Sequence, residues 1–291
     1  GAQTQMQHAQ NKYVSTVHRT QKYPGNQWDQ AVKMKLLLST VIISSFLNCA
    51  LADSFNFEHI GDSPQNSDVS TNQGVGYSIT FTNNWTQENH PFRYPPSDPH
   101  WSRFVYASHS SAYVMWQDGG RATKGIENVA EFGSISALQS EIEGQQTAGN
   151  VLDDVVGNGI GNASQGATST TGDNLCVDAS HPYVSGISMI APSPDWFTGV
   201  YNLPLSDEST MTWFRKIEVY VYAWDAGTEE GKDFDMTNPG TMPLGIISAF
   251  QPGDIEDALF VSVGQAGLPF LQVKPVGVLK FELQESINRC S

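Results

Sequence analysis

The sequence predicts an all-β chain, an antiparallel β-sandwich with one short helix and long loops. Three observations predict it. Apolar residues alternate with polar ones in several short runs. Gly and Pro, 26 and 15 of 291 residues, punctuate the chain between those runs. Only one segment carries a helical period.

The elements follow in order. Val75, Tyr77, Ile79 and Phe81 alternate with Gly76, Ser78 and Thr80, the pattern of a half-buried strand. The short apolar run Tyr113–Trp116 reads as a second strand. Glu127–Glu143 is the helix candidate, with Val129, Phe132, Leu138 and Ile142 on one broad side. From Gln145 to Asp173 the chain is rich in Gly, Asn, Ser and Thr, which reads as a long mobile insertion around an apolar island, Val151–Val156. Ile187–Ile190 is an apolar strand. Pro192 and Pro194 then remove two backbone donors and stiffen a corner, and Trp196–Phe197 restarts a strand through Val200. Ile217, Val219, Val221 and Ala223 alternate with Glu218, Tyr220 and Tyr222, which gives that strand an aromatic outer face. Leu259–Val263 and Val278–Leu283 complete the set.

The N-terminal part has a different character. Residues 1–33 are rich in Gln and show no apolar period, so they read as a disordered upstream extension. Met34-Lys35, the apolar run Leu36–Leu47 and Ala50-Leu51-Ala52 make the basic, apolar and cleavage parts of a signal peptide over 34–52. The apolar run is too short to span a bilayer. The expectation is a secreted protein whose single domain covers 53–291 and starts at Asp53. Of the three cysteines Cys49 leaves with the signal, and the even pair Cys176 and Cys290 suggests one disulfide. Asn84-Trp85-Thr86 and Asn162-Ala163-Ser164 are glycosylation sequons.

Charge narrows the choice of partners. Residues 1–52 carry Lys12, Arg19, Lys22, Lys33, Lys35 and Asp29. Without them the 15 basic and 30 acidic residues fall to 10 and 29, a net charge of −19. Such a surface repels nucleic acid and attracts cations. Motifs for enzymes are missing: there is no H-E-x-x-H, no G-x-S-x-G and no C-x-x-C. Gly227–Asp233 lacks the P-loop spacing and its Ser or Thr, and Asp233–Asn238 lacks the glycine and final Glu of an EF-hand loop. His100, His109 and His181 share no ligand spacing and read as core or turn hydrogen-bonding groups. Trp85, Trp101, Trp116, Trp196, Trp213 and Trp224 read as core and rim packing.

A carboxylate constellation remains. Asp195 sits at the proline-stiffened corner, where its residues alone leave two readings: a buried charge that binds something, or an Asx turn capping its own backbone. Asp225 ends the strand after Trp224, Ala226-Gly227 turns the chain, and Glu229 and Glu230 follow. Carboxylates so placed can face one point, as calcium requires, or can decorate a solvated acidic hairpin.

The words that carry these residues resemble a known family. M-I-A-P-S-P-D-W-F-T-G-V from Met189 to Val200 is similar to the signature of the spondin domain. H-W-S from His100, S-H-S from Ser108, A-T-K-G-I from Ala122, A-E-F-G from Ala130 and D-A-G-T-E-E-G from Asp225 fall in the same order, over most of the chain from about Gly76 onward. The resemblance implies a C2-like calcium-binding sandwich of extracellular adhesion or matrix type. Asp195, Asp225 and Glu229 would hold Ca2+ as a structural ion pinning loops at one end. Glu229 stands where the family usually has Asp; it keeps the charge and is one methylene longer. Implied partners are extracellular or cell-surface proteins or glycans, with neither a membrane span nor enzymatic activity expected. The alternative is a carbohydrate- or lipid-surface-binding module that uses the metal as a bridge.

Overall fold

The computed structural model describes residues 57–250, 260–262, 272–284 and 290. The expected extension (1–33), signal peptide (34–52), Cys49 and start at Asp53 lie outside the described residues. In chain order the first strands are β1 (Phe57–His59), β2 (Gln65–Ser70), β3 (Val75–Asn83), β4 (His100–Trp101) and β5 (Val105–His109). Helices α1 (Lys124–Phe132) and α2 (Ser136–Thr147) follow. Next come β6 (Val151–Val156), β7 (Thr168–Thr170), β8 (Leu175–Val177), β9 (Tyr183–Ala191), β10 (Trp196–Pro204), β11 (Ser206–Asp207) and β12 (Thr212–Val221). The last are β13 (Ala223–Asp225), β14 (Ser248–Ala249), β15 (Val261–Ser262), β16 (Gln272–Val273) and β17 (Gly277–Gln284).

These strands form the expected antiparallel sandwich. One sheet has the order β1-β12-β17-β3-β7, with β2 and β11 also on β12 and β8 on β3; the other runs β14-β13-β10-β9-β5-β6, with β4 on β9. Tyr77, Ile79 and Phe81 of β3 are buried while Ser78 and Thr80 are half-buried, so alternation read from sequence became alternation in space. The same holds on β12 for Ile217, Val219 and Val221 against Glu218 and Tyr220. Strands β9 and β10 are different, being buried along almost their whole length. One of their faces meets the opposite sheet through Val184, Ile190, Trp196 and Val200. The other meets the helices through Ile187 and Phe197, against Ile126, Val129, Leu138 and Ile142. A strand with core on both sides has no polar face, which is why its sequence reads as one apolar run. All six tryptophans singled out from the sequence are buried.

Three expectations need correction. The single helix over Glu127–Glu143 is two helices. Gly133 takes a left-handed conformation (φ 62°) that closes α1, and its N–H returns to Val129 O at 2.9 Å. Phe132, at that end, is 63% exposed and does not join Val129, Leu138 and Ile142 in the core. Thr123 caps the start of α1, accepting from Ile126 N at 3.2 Å. Glu141 of α2 completes that cap, accepting from Gly125 N at 2.7 Å and from the Thr123 hydroxyl at 2.7 Å.

Second, Tyr113–Trp116 is not a strand but an irregular loop that plugs the helical layer. Trp116 packs edge-on against Phe197 (4.9 Å) and Trp224 (5.3 Å) and donates from Nε1 to Gly186 O at 3.2 Å. Met115 and Trp116 fill space rather than form a ladder, and Val114 is exposed. Third, Gln145–Asp173 is no mobile insertion, because its apolar island is strand β6, paired with β5, and β7 pairs with β3. Val151 and Val155 point inward, and the intervening acids are engaged. Asp153 Oδ2 accepts from Cys176 N at 2.9 Å, and Asp154 Oδ1 from Gln146 Nε2 at 3.0 Å. Of the expected strand Leu259–Val263, the described part is β15, paired with β16.

The expected disulfide is present. Cys176 on β8 and Cys290 are bonded, with Cα atoms 5.2 Å apart. The histidines bond as read from sequence: His109 Nε2 to the Ser185 hydroxyl (2.8 Å), His100 Nδ1 to Asp98 O (2.8 Å) and His181 Nδ1 to Asp178 Oδ1 (2.8 Å). Among the described residues no helix is long and apolar enough to cross a membrane.

Candidate metal centre

The corner between β9 and β10 needs nothing from Asp195. The Ser193 hydroxyl donates to Ile190 O and accepts the Trp196 N–H at 3.2 Å, so this serine closes the turn. Asp195 is thereby available to reach across to another loop. It is fully buried. Its Oδ2 accepts the Thr228 N–H (2.6 Å), the Glu229 N–H (3.1 Å) and the Thr228 hydroxyl (3.2 Å). Its Oδ1 is buried with no hydrogen-bond partner. An Asx turn on its own corner therefore does not account for this residue. The residue that does make such a turn is Asp225, whose Oδ1 accepts the Gly227 N–H at 2.6 Å.

Register brings the other two predicted residues to the same end of the sandwich. β10 and β13 pair Trp196 with Asp225, and Ala226 N donates to Asp195 O at 3.1 Å. Gly227 then turns with φ 71°, and a Cβ there would lie 2.8 Å from Ile246 O, so only glycine fits. The following residues run against 239–245: Glu230 N donates to Pro239 O (2.9 Å), Thr241 N to Thr228 O (2.8 Å) and Gly245 N to Gly227 O (2.8 Å). Glu229 bridges Gly240 in this ribbon. Asp225 and Glu229, with Trp196, Ser248 and Phe250, line a cavity of ≈ 400 Å³.

A fourth carboxylate, absent from the predicted set, belongs to the same neighbourhood. Glu131, in the last turn of α1, is buried, and its charge acts on Glu229. Its position is visible only once α1 is seen to end at Phe132. A helix C-terminus disfavours negative charge, and α1 has no basic residue in its last turn to offset this one.

The carboxyl groups disturb one another. Burial raises Asp195 above the usual carboxylate range, against the opposing pull of the bonds from Thr228 and Glu229. Glu131 is raised, first by burial and further by the charges of Glu127 and Asp195. Glu229 is pushed up to about 7, by burial and then by the charges of Glu131 and Asp195. Mutual repulsion around a buried, unpartnered oxygen is the arrangement a cation relieves. The donor set is all oxygen, which suits calcium or another hard cation. The side chains are not gathered into a finished ligand set: among the described residues, no three His, Cys, Asp or Glu lie as a group that could hold an ion.

Comparison with known proteins locates this arrangement within a family. The family model Spondin_N matches residues 75–261, which include every residue of the site. The chain is 38% identical to Spondin-2 of Homo sapiens over 169 residues, covering 57% of this chain and 50% of that protein. It is 34% identical to Spondin-1 of Mus musculus over 173 residues, covering 57% of this chain and 21% of that one. The match thus spans half the length of the first relative and about a fifth of the second.

Proposed function

The chain belongs to the spondin family, and on that footing we propose that it is a secreted, calcium-binding module of adhesion or matrix type rather than an enzyme. Its domain is residues 53–291, and its partners are extracellular or cell-surface proteins or glycans. Asp195, Asp225 and Glu229 hold the ion. When bound, calcium supplies positive charge to a corner that is otherwise all carboxylate, and its role is structural.

The observation that carries this reading is Asp195 Oδ1, fully buried and without a partner, on a carboxyl group whose charge acts on Glu131 and Glu229. A cap alone does not require a charge there, because the amide oxygen of an asparagine could accept the same three bonds. Asp195 fixes the 228–229 turn with one oxygen and keeps the other for a cation. The test is calorimetric titration of the secreted protein with calcium, together with melting in calcium and in chelator. The melting temperature should rise with calcium and fall with chelator. No heat of binding and a melting curve indifferent to both would end the proposal.

A second reading has its own support. The cavity shares Asp225 and Glu229 with the ion site, and Met242 stands exposed on the segment that pairs with the Thr228–Glu230 turn, with Met236 and Ile246 exposed on either side of it. An ion there could bridge to a glycan or a lipid headgroup. Glycan-array or vesicle binding that disappears with chelator would support this reading, and binding unaffected by chelator would oppose it.

A further inference from the structure

A cavity of ≈ 520 Å³, separate from the one at the carboxylate corner, is lined by Tyr94, Pro95, Pro96, Pro99, Asn162 and Ser164. Asn162 and Ser164 are the first and last residues of the sequon Asn162-Ala163-Ser164. We infer that Asn162 carries an N-linked glycan whose first sugar is seated in this cavity, so that the modification is part of the folded surface. The inference rests on the secreted reading, because the glycan is attached in a secretory pathway. It is independent of the ion.

Three observations carry it. First, Asn162 is exposed on a loop that the core holds in place. Ala163, the middle residue of the sequon, is fully buried; its N–H donates to Pro99 O at 2.7 Å and its carbonyl accepts from Asn83 Nδ2 at 2.7 Å. Just before it, Trp101 and Ile160 exchange backbone bonds at 2.9 and 3.1 Å. Second, Asn162 Oδ1 accepts from the Ser164 N–H at 3.0 Å and from Ser164 Oγ at 2.5 Å. This Asx turn brings the sequon hydroxyl onto the amide that is to be modified. Among the described residues Asn162 Nδ2 makes no hydrogen bond, so it is the atom left to take a substituent. In the transfer, Nδ2 displaces a lipid diphosphate from C1 of an oligosaccharide donor. The N–C1 bond forms, the C1–O bond breaks with its electron pair going to the diphosphate, and one amide proton is released. Oδ1 keeps both bonds to Ser164. Third, the cavity wall suits a sugar ring. Tyr94 is 9% exposed and turns its hydroxyl inward to Trp85 O at 3.3 Å, so it offers the wall its ring. The three prolines add C–H surface on which the apolar face of a pyranose can lie, and the exposed Gln87 and Asp98 supply polar partners for its hydroxyl and acetamido groups.

The test uses the full chain expressed in a glycosylating eukaryotic secretory host. Peptide-N-glycosidase treatment in heavy-oxygen water converts a glycosylated asparagine to labelled aspartate, and peptide mapping reads Asn162 separately from Asn84. Asn162 should be labelled in most secreted molecules. Ser164→Ala removes the sequon hydroxyl and should abolish the label at Asn162 alone, while Ser164→Thr should retain it. Seating is read from the rate at which the enzyme releases the Asn162 glycan. Pro96 is exposed, so Pro96→Ala keeps the fold while removing one ring from the cavity wall. Release from native wild type should be slower than from native Pro96→Ala by on the order of threefold, equivalent to about 0.7 kcal/mol of lost contact. After unfolding, the two rates should be equal. An unlabelled Asn162 in secreted protein would overturn the inference and leave the secreted reading standing. A labelled Asn162 released equally fast from both native proteins would also overturn it, because the glycan then stands free in solvent. A chain retained inside the cell would remove the secreted reading and the inference together.

Discussion

Replacing Asp195 by asparagine should change stability in opposite directions with and without calcium. The three hydrogen bonds on Oδ2, at 2.6, 3.1 and 3.2 Å, can all be accepted by an amide oxygen. What changes is the charge. Burial raises the Asp195 carboxyl even after those bonds have favoured its ionised form, so ionising it costs more in the folded protein than in the unfolded chain. In chelator near neutral pH, Asp195→Asn should therefore be at least as stable as wild type. With calcium at a hundredfold excess over its dissociation constant, wild type gains about 2.7 kcal/mol that the variant lacks. In a domain of this size that amounts to roughly 5–10 °C in melting temperature. The assay is thermal melting of both proteins in calcium and in chelator, with the order of stability expected to invert between them. A variant less stable than wild type by the same amount in both buffers would refute the reasoning and reduce Asp195 to a cap for the 228–229 turn.

Other consequences are open to measurement. Glu229, raised from 4.5 to about 7, is a carboxylate with an elevated folded-state pKa, so without calcium its contribution favours the fold at low pH and is lost as pH rises toward 7. Wild type minus Glu229→Gln, melted in chelator from pH 4.5 to 7.5, should show that loss, and calcium affinity should weaken as pH falls below about 7. His90 works the other way. It is buried and is lowered, chiefly by burial, from 6.5 to about 4, so its stabilisation is present above 6.5 and lost as pH falls toward 4. His90→Phe should flatten that acid limb of the stability profile, and an unchanged limb would assign it to other groups. Cys176→Ala opens a loop with a sequence separation of 114 residues, for which chain entropy gives about 5 kcal/mol as an upper figure, readable by urea unfolding.

What the sequence made legible follows from where the periodicity survives. β3 and β12 each have one wet face, so alternation identified them. β9 and β10 have none, but their unbroken burial and the prolines between them marked two strands and a corner. β6 was hidden because its two inward valines are interrupted by Asp153 and Asp154, whose partners, Cys176 N and Gln146, are not visible from composition. Tyr113–Trp116 misled for the opposite reason: apolar residues that fill a gap between layers look locally like a strand. The helix break was written in Gly133, which the wider apolar stripe from Val129 to Ile142 obscured. At the site, Asp225 and Glu229 are neighbours in sequence, while Asp195 meets the Glu229 N–H across 34 residues. Spacing could not join them; family resemblance did. Glu131 lay in a quoted word, A-E-F-G, yet reads as an ordinary exposed helical glutamate until the fold buries it.

The Cys176–Cys290 bond also determines how the molecule carries a mechanical load. Tension applied between a point before β1 and a point after Cys290 follows the covalent path from residue 57 to 176 and then crosses sulfur to sulfur. Residues 177–289 form a closed loop outside that path, and this loop contains β9, β10, β13, β17 and the carboxylates Asp195, Asp225 and Glu229. Strand β17, hydrogen-bonded along β3 and β12, is not peeled off by a pull on the C-terminal end. Reduction of this one bond would place the whole loop in series with the force and expose the β17 ladders to a pull from the C-terminal end.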